Sequence, residues 1–333
     1  NLVADGGYTW NVEWCDTDSN CNQSNFNFTF FVETTIPSQV NLIAPANNTN
    51  NVSRSFTFFG NATDDSTLDN ATLYHNETGT FTANRSVSTS TAGTFSNWSI
   101  NVSGFNDTGF VWSVLVCDTA NNCNWSNLNR TLVSNEPPRN VTNINPPNDT
   151  ANRSNNHRFI TNTTDVRGLF NATLWHNISG TFISNQTVNF TGNASNNQTN
   201  FIVNLIPDGG YIWNMYVCDA DNACNWSNTN FTFVVDATRP SNVNLTNPPN
   251  NAANRSSTWR FDSNATDAVN LSNASLYHNI SGSWVRNQTN NVAGTSGVVT
   301  SFNVSVIVNG THSWNVEWCD SSNNCAQATS NSS

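Results

Sequence analysis

The chain has no lysine; all eleven of its cationic side chains are arginine. Charged residues make up only 10 % of the 333, against roughly 25 % in an ordinary globular chain. The formal net charge is −11. A nucleic-acid binder needs a basic face, so this balance argues against one. No run reaches the roughly 18 consecutive apolar residues of a membrane helix. No signal peptide is present, and a chain starting at Asn1 reads as a processed product or a fragment. No stretch shows helical periodicity. There is no glycine-rich phosphate loop, no nucleophile elbow and no carboxylate pair standing apart from the repeats, so the chain is not read as an enzyme and no cofactor is expected.

Neutral polar residues fill the gap: 65 Asn, 40 Thr and 37 Ser. Leu, Ile, Val and Phe together reach 22 %, just above the ~20 % floor below which disorder sets in. Twelve Trp and twenty Phe tip the balance toward folded β structure, because aromatics bury the most area per residue.

The chain repeats. Its eight cysteines form four C-x5-C pairs, with flanks TWNVEWCDTDSNC, VWSVLVCDTANNC, IWNMYVCDADNAC and SWNVEWCDSSNNC. Successive first cysteines lie 102, 101 and 101 residues apart. A second landmark recurs three times, as NATLYHN (70–76), NATLWHN (171–177) and NASLYHN (273–279). Within a copy the period is two. Tyr8, Trp10, Val12 and Trp14 share one parity, as do Phe26, Phe28, Phe30 and Val32, and these are expected to face inward. Several short strands per hundred residues, separated by Asn/Gly/Asp/Ser clusters, predict an all-β chain of tandem sandwich domains of about 101 residues, like beads on a string.

Proline marks the boundaries, at Pro37, Pro137–Pro138 and Pro240. Residues 36–135 and 136–236 are expected to be complete units. Residues 1–35 hold the last two strands of an earlier unit, and 237–333 a unit lacking its last strand, as in a window cut from a longer array. The G-Y-x-W strand (7–10, 210–213), the following C-D, the Phe-rich strand and V-V-D-A-T-x-P (234–240) resemble the Ig-like repeats of large archaeal and bacterial surface proteins. That resemblance implies an extracellular tandem β-sandwich array used for attachment, envelope or filament building. It departs from the antibody-like domain, whose disulfide joins two sheets through the core.

Four matched cysteine pairs point to an oxidising, extracellular space, with bridges Cys15–Cys21, Cys117–Cys123, Cys218–Cys224 and Cys319–Cys325 pinning hairpins. One pair per unit supplies only two thiolates, too few for zinc. The enclosed loops resemble the start of a calcium loop, which makes Asp16, Asp18, Asp219 and Asp221 weak candidates. No bidentate Glu or central Gly follows, and Asp and Asn are ordinary turn formers, so plain turns and no metal are favoured.

Asn-x-Ser/Thr sequons occur 35 times, where composition alone gives about 15. Many keep register between copies: Asn51/Asn152/Asn254, Asn61/Asn162/Asn264, Asn70/Asn171/Asn273, Asn76/Asn177/Asn279, Asn84/Asn185/Asn287, Asn22/Asn124/Asn225 and Asn27/Asn129/Asn230/Asn331. Only one set breaks, at Ala326. Asn70 and Asn76 share a face opposite Leu73, which belongs in the core, so they are expected to point to solvent and carry covalent N-linked glycans. Such a coat would replace surface charge and shield strand edges. This sequon density fits an archaeon or a eukaryote, and the repeat style leans archaeal.

His75, His176 and His278 recur at one place and read as structural; His157 and His312 stand alone. Trp10, Trp112, Trp213 and Trp314 read as core. Trp125, Trp226, Tyr74, Trp175 and Tyr277 lie beside sequons, where they could stack on the protein's own sugars or on a partner's. The expected function is structural: a filament, surface layer or stalk. An adhesin binding carbohydrate or another cell is the alternative, and a spacer in a larger surface enzyme the second. Expected partners are the continuation of the chain or neighbouring copies, completing end strands by β-augmentation, and cell-surface glycans in the adhesin alternative.

Overall fold

The computed structural model describes residues 3–89, 95–192, 194–253, 255–305 and 307–333. All regular structure among them is β. No helix among them is long and apolar enough to cross a membrane. The chain divides into two compact units, residues 1–137 and 138–333.

In the first unit, residues 38–134 build one sandwich. One sheet runs in the order Phe95–Ser103, Ser55–Thr63, Ser38–Ala44. The other runs Thr49–Asn51, Arg130–Ser134, Thr108–Asp118, Leu68–His75, Thr82–Ser88. Pairing is antiparallel except where Thr49–Asn51 lies parallel to Arg130–Ser134. Period-two strands feed one core: Phe56 and Phe58 from one sheet meet Leu73, Trp112, Val114 and Val116 from the other. Trp112 is fully buried and packs edge-on to Phe58 at 4.8 Å.

The second unit repeats this plan twice. Its first sandwich sets Arg139–Asn145 and His157–Thr164 against Phe231–Val235, Gly209–Asp219 and Leu169–His176, around Phe159, Trp213 and Phe233. Its second sets Ser241–Asn247, Thr258–Thr266 and Val298–Ser305 against Val285–Gly294, Leu271–His278 and Trp314–Asp320, around Phe261, Trp314 and Trp318. Two sheets packed face to face, with the chain crossing between them, make each an Ig-like sandwich. The Trp strand is anchored at its start: the hydroxyls of Tyr8 and Tyr211 donate to carbonyls four residues upstream, Ala4 at 2.7 Å and Pro207 at 2.8 Å. At the same register His312 uses its ring nitrogen on Val308 O at 2.8 Å.

The last sandwich has only the beginning of the strand that occupies Arg130–Ser134 and Phe231–Val235 in the others. Ser332 bridges Trp314, and Ser333 bonds Asn250 Oδ1 at 3.0 Å. Leu132 and Phe233 are buried at that strand's third position.

Residues 3–35 correct the expected inward faces. Trp10, Trp14, Phe26, Phe28 and Phe30 are exposed, Trp10 by 47 % and Phe26 by 76 %. Gly6–Trp10 pairs antiparallel with Phe28–Val32, and Trp10 stacks on Phe28. That two-stranded sheet has no second sheet against it among the described residues. Parity chose the face, but only an opposing layer could bury it.

Candidate functional site

Each C-x5-C loop folds around its first aspartate. Asp118 Oδ1 accepts the N–H groups of Ala120 and Asn122, both at 2.8 Å, and Oδ2 accepts Asn122 Nδ2 at 2.9 Å. Asp16 and Asp320 do the same with Asp18/Asn20 and Ser322/Asn324. Asp219 holds the N–H groups of Asp221 and Ala223. Ser19, Asn121, Asn222 and Asn323 take positive φ to close each turn, a conformation that suits asparagine. All four cysteine pairs are bridged, directly opposite one another across their hairpins.

The four calcium candidates of the loop do not converge. No group of three ligands among the described residues contains Asp16, Asp18, Asp219 or Asp221. Asp16 spends its oxygens on the turn, and Asp221 is paired with Arg167 at 2.5 Å.

A different carboxylate cluster does form. Asp236, Asp267 and Asp320 bring carboxylate oxygens within 4.8 Å of one another, and all three are buried. Asp320 comes from the cysteine loop. Asp236 ends the preceding sandwich, and Asp267 follows the strand Thr258–Thr266. Asp320 accepts three N–H groups of its turn, two on Oδ1 and one on Oδ2. Asp267 Oδ1 accepts Val269 and Asn270 N–H, while its Oδ2 has no partner. Asp236 is 0 % exposed, and neither of its oxygens has a hydrogen-bond partner in good geometry. Burial first, and then the charges of Asp320, Asp267 and Asp208, push its carboxyl up to about 6 against the downward pull of the nearby Ser322 hydroxyl.

The first unit holds the counterpart: Glu33, Asp64 and Asp118 form the same group, and Asp64 Oδ2 is unpartnered. Glu33 also groups with Asp5 and Asp65. Burial raises the carboxyls of both Glu33 and Asp64. Buried carboxylates this close repel unless protonated or bridged by a cation. An all-oxygen set with orphaned acceptors suits a hard divalent ion such as Ca²⁺. Sequence reasoning missed these groups because each draws on three distant segments. The signal was there in the equivalent Asp at positions 64, 165 and 267.

The same loops clamp the chain ahead of them. Asn122 Nδ2 donates to Glu33 O at 3.1 Å, and Asn324 Nδ2 to Asp236 O at 2.9 Å. Asn124 Nδ2 donates to Pro37 O at 2.8 Å, and Asn225 Nδ2 to Pro138 O at 3.2 Å.

The sequon asparagines divide by exposure instead of all facing solvent. Asn22, Asn27, Asn51, Asn84, Asn129, Asn152, Asn162, Asn185, Asn225, Asn230, Asn287 and Asn331 are exposed. Asn61, Asn70, Asn76, Asn124, Asn171, Asn177, Asn264, Asn273 and Asn279 are half-buried; Asn254 lies outside the described residues. Asn70, Asn76 and their copies keep the expected outward parity but are only partly exposed. For Asn70, Asn171 and Asn273 the reason is that their strand is central in its sheet. Asn70 lies between Ser88 and Cys117, Asn171 between Asn189 and Cys218, and Asn273 between Asn291 and Cys319. Cross-strand neighbours on both sides cover part of each side chain. Asn84, Asn185 and Asn287 are exposed because Thr82–Ser88, Ile183–Asn189 and Val285–Gly294 end their sheets.

Hydrogen bonds sort these asparagines further. Asn27, Asn230 and Asn331 use Oδ1 to accept Asn11, Asn214 and Asn315 Nδ2. Asn129 departs from its set: Ser113 stands where those copies have asparagine, and it pairs with Ser126 at 2.6 Å. Asn61, Asn162 and Asn264 accept through Oδ1 from Asn41, Gln198 and Asn244. Asn76, Asn177 and Asn279 accept backbone N–H groups. Asn152, which ends the short strand Thr150–Asn152, accepts Ser154 N–H at 3.0 Å. Asn70 instead commits its Nδ2, to Asp69.

The recurrent histidines are buried at strand ends. Nδ1 of His75, His176 and His278 takes the N–H two residues on, at 3.3–3.4 Å, and each Nε2 has no hydrogen bond in good geometry. Burial lowers the affinity of all three for a proton; the side chains of Asn185 and Asn287 oppose this at His176 and His278. Beside them lie half-exposed rings: Tyr74, Phe81 and Trp125, then Trp175, Phe182 and Trp226, then Tyr277 and Trp284.

No family model matches the chain, and no curated protein matches it. Among solved structures, a tetra-tandem repeat from the extending region of a large adhesion protein is 14 % identical, covering 99 % of this chain and 81 % of its own, with a TM-score of 0.37. The chicken CNTN1 FN1–FN3 domains are 9 % identical over 88 % of this chain and 97 % of theirs, with a TM-score of 0.30. A 1.5-MDa bacterial ice-binding adhesin is 16 % identical over 85 % of this chain and 90 % of the solved chain, with a TM-score of 0.29. The sheet order and cores described above define the class: all-β, with tandem Ig-like sandwiches.

Proposed function

We propose that this chain is a structural stretch of an extracellular surface array, in which glycan-coated Ig-like sandwiches follow head to tail. The observation that carries the reading is the junction built twice from equivalent atoms: a loop asparagine holds the carbonyl of Glu33 in one case and of Asp236 in the other, beside a three-carboxylate cluster. A binding protein concentrates its chemistry in one distinctive site; here the same junction chemistry appears at two places in the chain. Four disulfides suit an oxidising compartment.

Within this reading, a divalent cation held by Asp236, Asp267 and Asp320, and another by Glu33, Asp64 and Asp118, stiffen the junctions. Adding CaCl₂ to chelator-treated protein is expected to raise the melting temperature, and Asp236→Asn to reduce that gain. No calcium response would remove the cation from the account. Antibodies against the chain are expected to label intact, unpermeabilised cells; labelling only after permeabilisation would overturn the surface reading. The exposed ring clusters are the observation on which an adhesin alternative would rest.

A further inference from the structure

We propose that Asn76, Asn177 and Asn279 carry N-linked glycans whose first pyranose lies against the aromatic cluster beside each turn. This rests on the reading of the chain as a glycosylated surface protein and says which sugar the rings hold: the protein's own.

Each of the three asparagines opens a tight turn, with the N–H of Gly79, Gly180 or Gly282 donating to its carbonyl at 2.8–2.9 Å. Those glycines take φ of +94°, +94° and +89°, where a side chain is strained. Each asparagine's own N–H bonds the neighbouring Trp strand, at Val111, Ile212 or Ser313 O. Its Oδ1 takes the N–H of that same residue, at 2.7 Å in all three copies. The side-chain carbonyl thus continues the ladder past the strand end, which fixes the amide plane. Nδ2 is left with no hydrogen bond to the protein among the described residues. It is the atom that glycosylation uses, and it is presented by a preorganised turn rather than a mobile side chain.

The rings flank this turn. Tyr74, Trp175 and Tyr277 stand two residues before the asparagine, and Phe81, Phe182 and Trp284 five after it. They pair across the turn with centroids 6.0, 6.0 and 6.5 Å apart. In two copies Trp125 or Trp226 extends the cluster. Phe81 and Trp284 are 39 % and 42 % exposed, and Trp226, which packs beside Phe182, is 37 % exposed, so each platform keeps an open apolar face. Such a face at one outward place in every copy calls for an occupant. The sequon between the two rings lies only two residues from Tyr74, Trp175 or Tyr277.

Modification joins Nδ2 to the sugar C1 as the C1–O bond of a lipid-phosphate-linked donor breaks. The amide loses one proton, and the phosphate leaves with the bonding pair. Nδ2 keeps one hydrogen and Oδ1 is untouched, so the ladder bond survives.

Asn124 and Asn225 are the internal contrast. Their Nδ2 atoms are committed to linker carbonyls, and their Oδ1 atoms accept Trp125 and Trp226 N–H at 3.0 Å. These sequons act as clamps and are expected to be bare.

The test uses the chain from its native source or from a host with N-glycosylation machinery. Glycopeptide mapping is expected to find sugar at Asn76, Asn177 and Asn279 and none at Asn124 or Asn225; the reverse pattern overturns the proposal. Glycan removal is then compared in wild type, Phe182→Ala and Phe182→Tyr. The melting shift on removal is expected to fall by about half in Phe182→Ala and to be retained in Phe182→Tyr. Equal shifts in all three overturn the stacking claim. Glycans at other sequons only would sink this inference and leave the surface reading intact. A chain confined to the cell interior would sink the surface reading itself.

Discussion

Trp10 and Trp112 occupy the same place in the repeat, five residues before the first cysteine of their hairpin, yet one is 47 % exposed and the other 0 %. Both lie on an antiparallel strand, and both pair with the strand that follows their disulfide. The difference is the second sheet: Phe58 and Phe56 roof Trp112, while Trp10 has only Phe28 beside it in its own sheet. Alternation therefore decides which side of a strand is apolar, and the opposing layer decides whether that side contributes stability. The same contrast holds for Phe30, exposed by 46 %, against Leu132 and Phe233, buried to 0 % and 1 %.

Deleting the two tryptophans in turn probes this contrast hardest. Trp112→Ala is expected to cost about 3–5 kcal/mol, as for a large aromatic removed from a packed core. Trp10→Ala is expected to cost under about 1 kcal/mol. Chemical denaturation followed by Trp fluorescence and circular dichroism measures both, and equal costs would mean that the 3–35 hairpin is covered in solution.

A smaller loss is expected at Gly60. A Cβ there would stand 2.1 Å from the Trp98 ring and 2.2 Å from the Asn41 carbonyl. Gly60→Ala should therefore destabilise the first sandwich by about 1–3 kcal/mol. The other copies have Thr161 and Ser263 at this place, and Ser263 instead accepts Trp318 Nε1 at 2.9 Å. The reverse change, Ser263→Gly, is expected to leave that buried indole N–H unpaired, visible as a lowered melting temperature of the second unit.

The Cys117–Cys123 bridge closes a loop of only a few residues, so a double Cys→Ser change is expected to cost about 2 kcal/mol. The same change at Cys15/Cys21 should leave the main thermal transition in place, because that hairpin is attached to no buried core. Calorimetry separates the two cases.

The weakest response is expected with pH. His75, His157, His176 and His278 are held below the ordinary value of 6.5 by burial. The unfolded chain then binds protons more readily than the folded one, so their contribution is complete above about pH 6.5 and shrinks as pH falls through that value. This histidine-linked loss of melting temperature should appear between about pH 7 and pH 5, and most clearly in Asp236→Asn, because the raised carboxyls of Asp236, Glu33 and Asp64 gain stability as pH falls and oppose it. The 3–35 segment has no histidine and should not follow.

Much of this was legible in the sequence, because local period and local chemistry sufficed. The alternation around Trp112 and Trp213, the cysteine hairpins and the burial of Leu73 needed nothing beyond neighbouring residues. What was not legible depended on the third dimension. Asp236, Asp267 and Asp320 come from three segments, and only folding brings them together. The cysteine loop, read as a plain turn in preference to a calcium loop, folds with Asp16 and Asp219 on backbone N–H groups. Nor could parity say that Trp10 and Phe28 lack a roof, or that flanking strands half-cover Asn70, Asn171 and Asn273 while Asn84, Asn185 and Asn287 stand at a sheet edge. His312 and His157 read as isolated, yet each bonds a carbonyl three or four residues upstream, as Trp259 does at the place of His157.

Scaffold and contact surface are separated most cleanly by the mass carried by this 333-residue stretch in native material, taken without reduction. The polypeptide alone is 36.5 kDa. A glycan-coated surface array is expected to weigh well above that, with sugar on sequons of every copy and all four disulfides closed. A bare 36.5 kDa chain would contradict it. The asparagine-rich faces and their aromatic clusters would then become contact surfaces for a partner, and adhesion would replace scaffolding as the function.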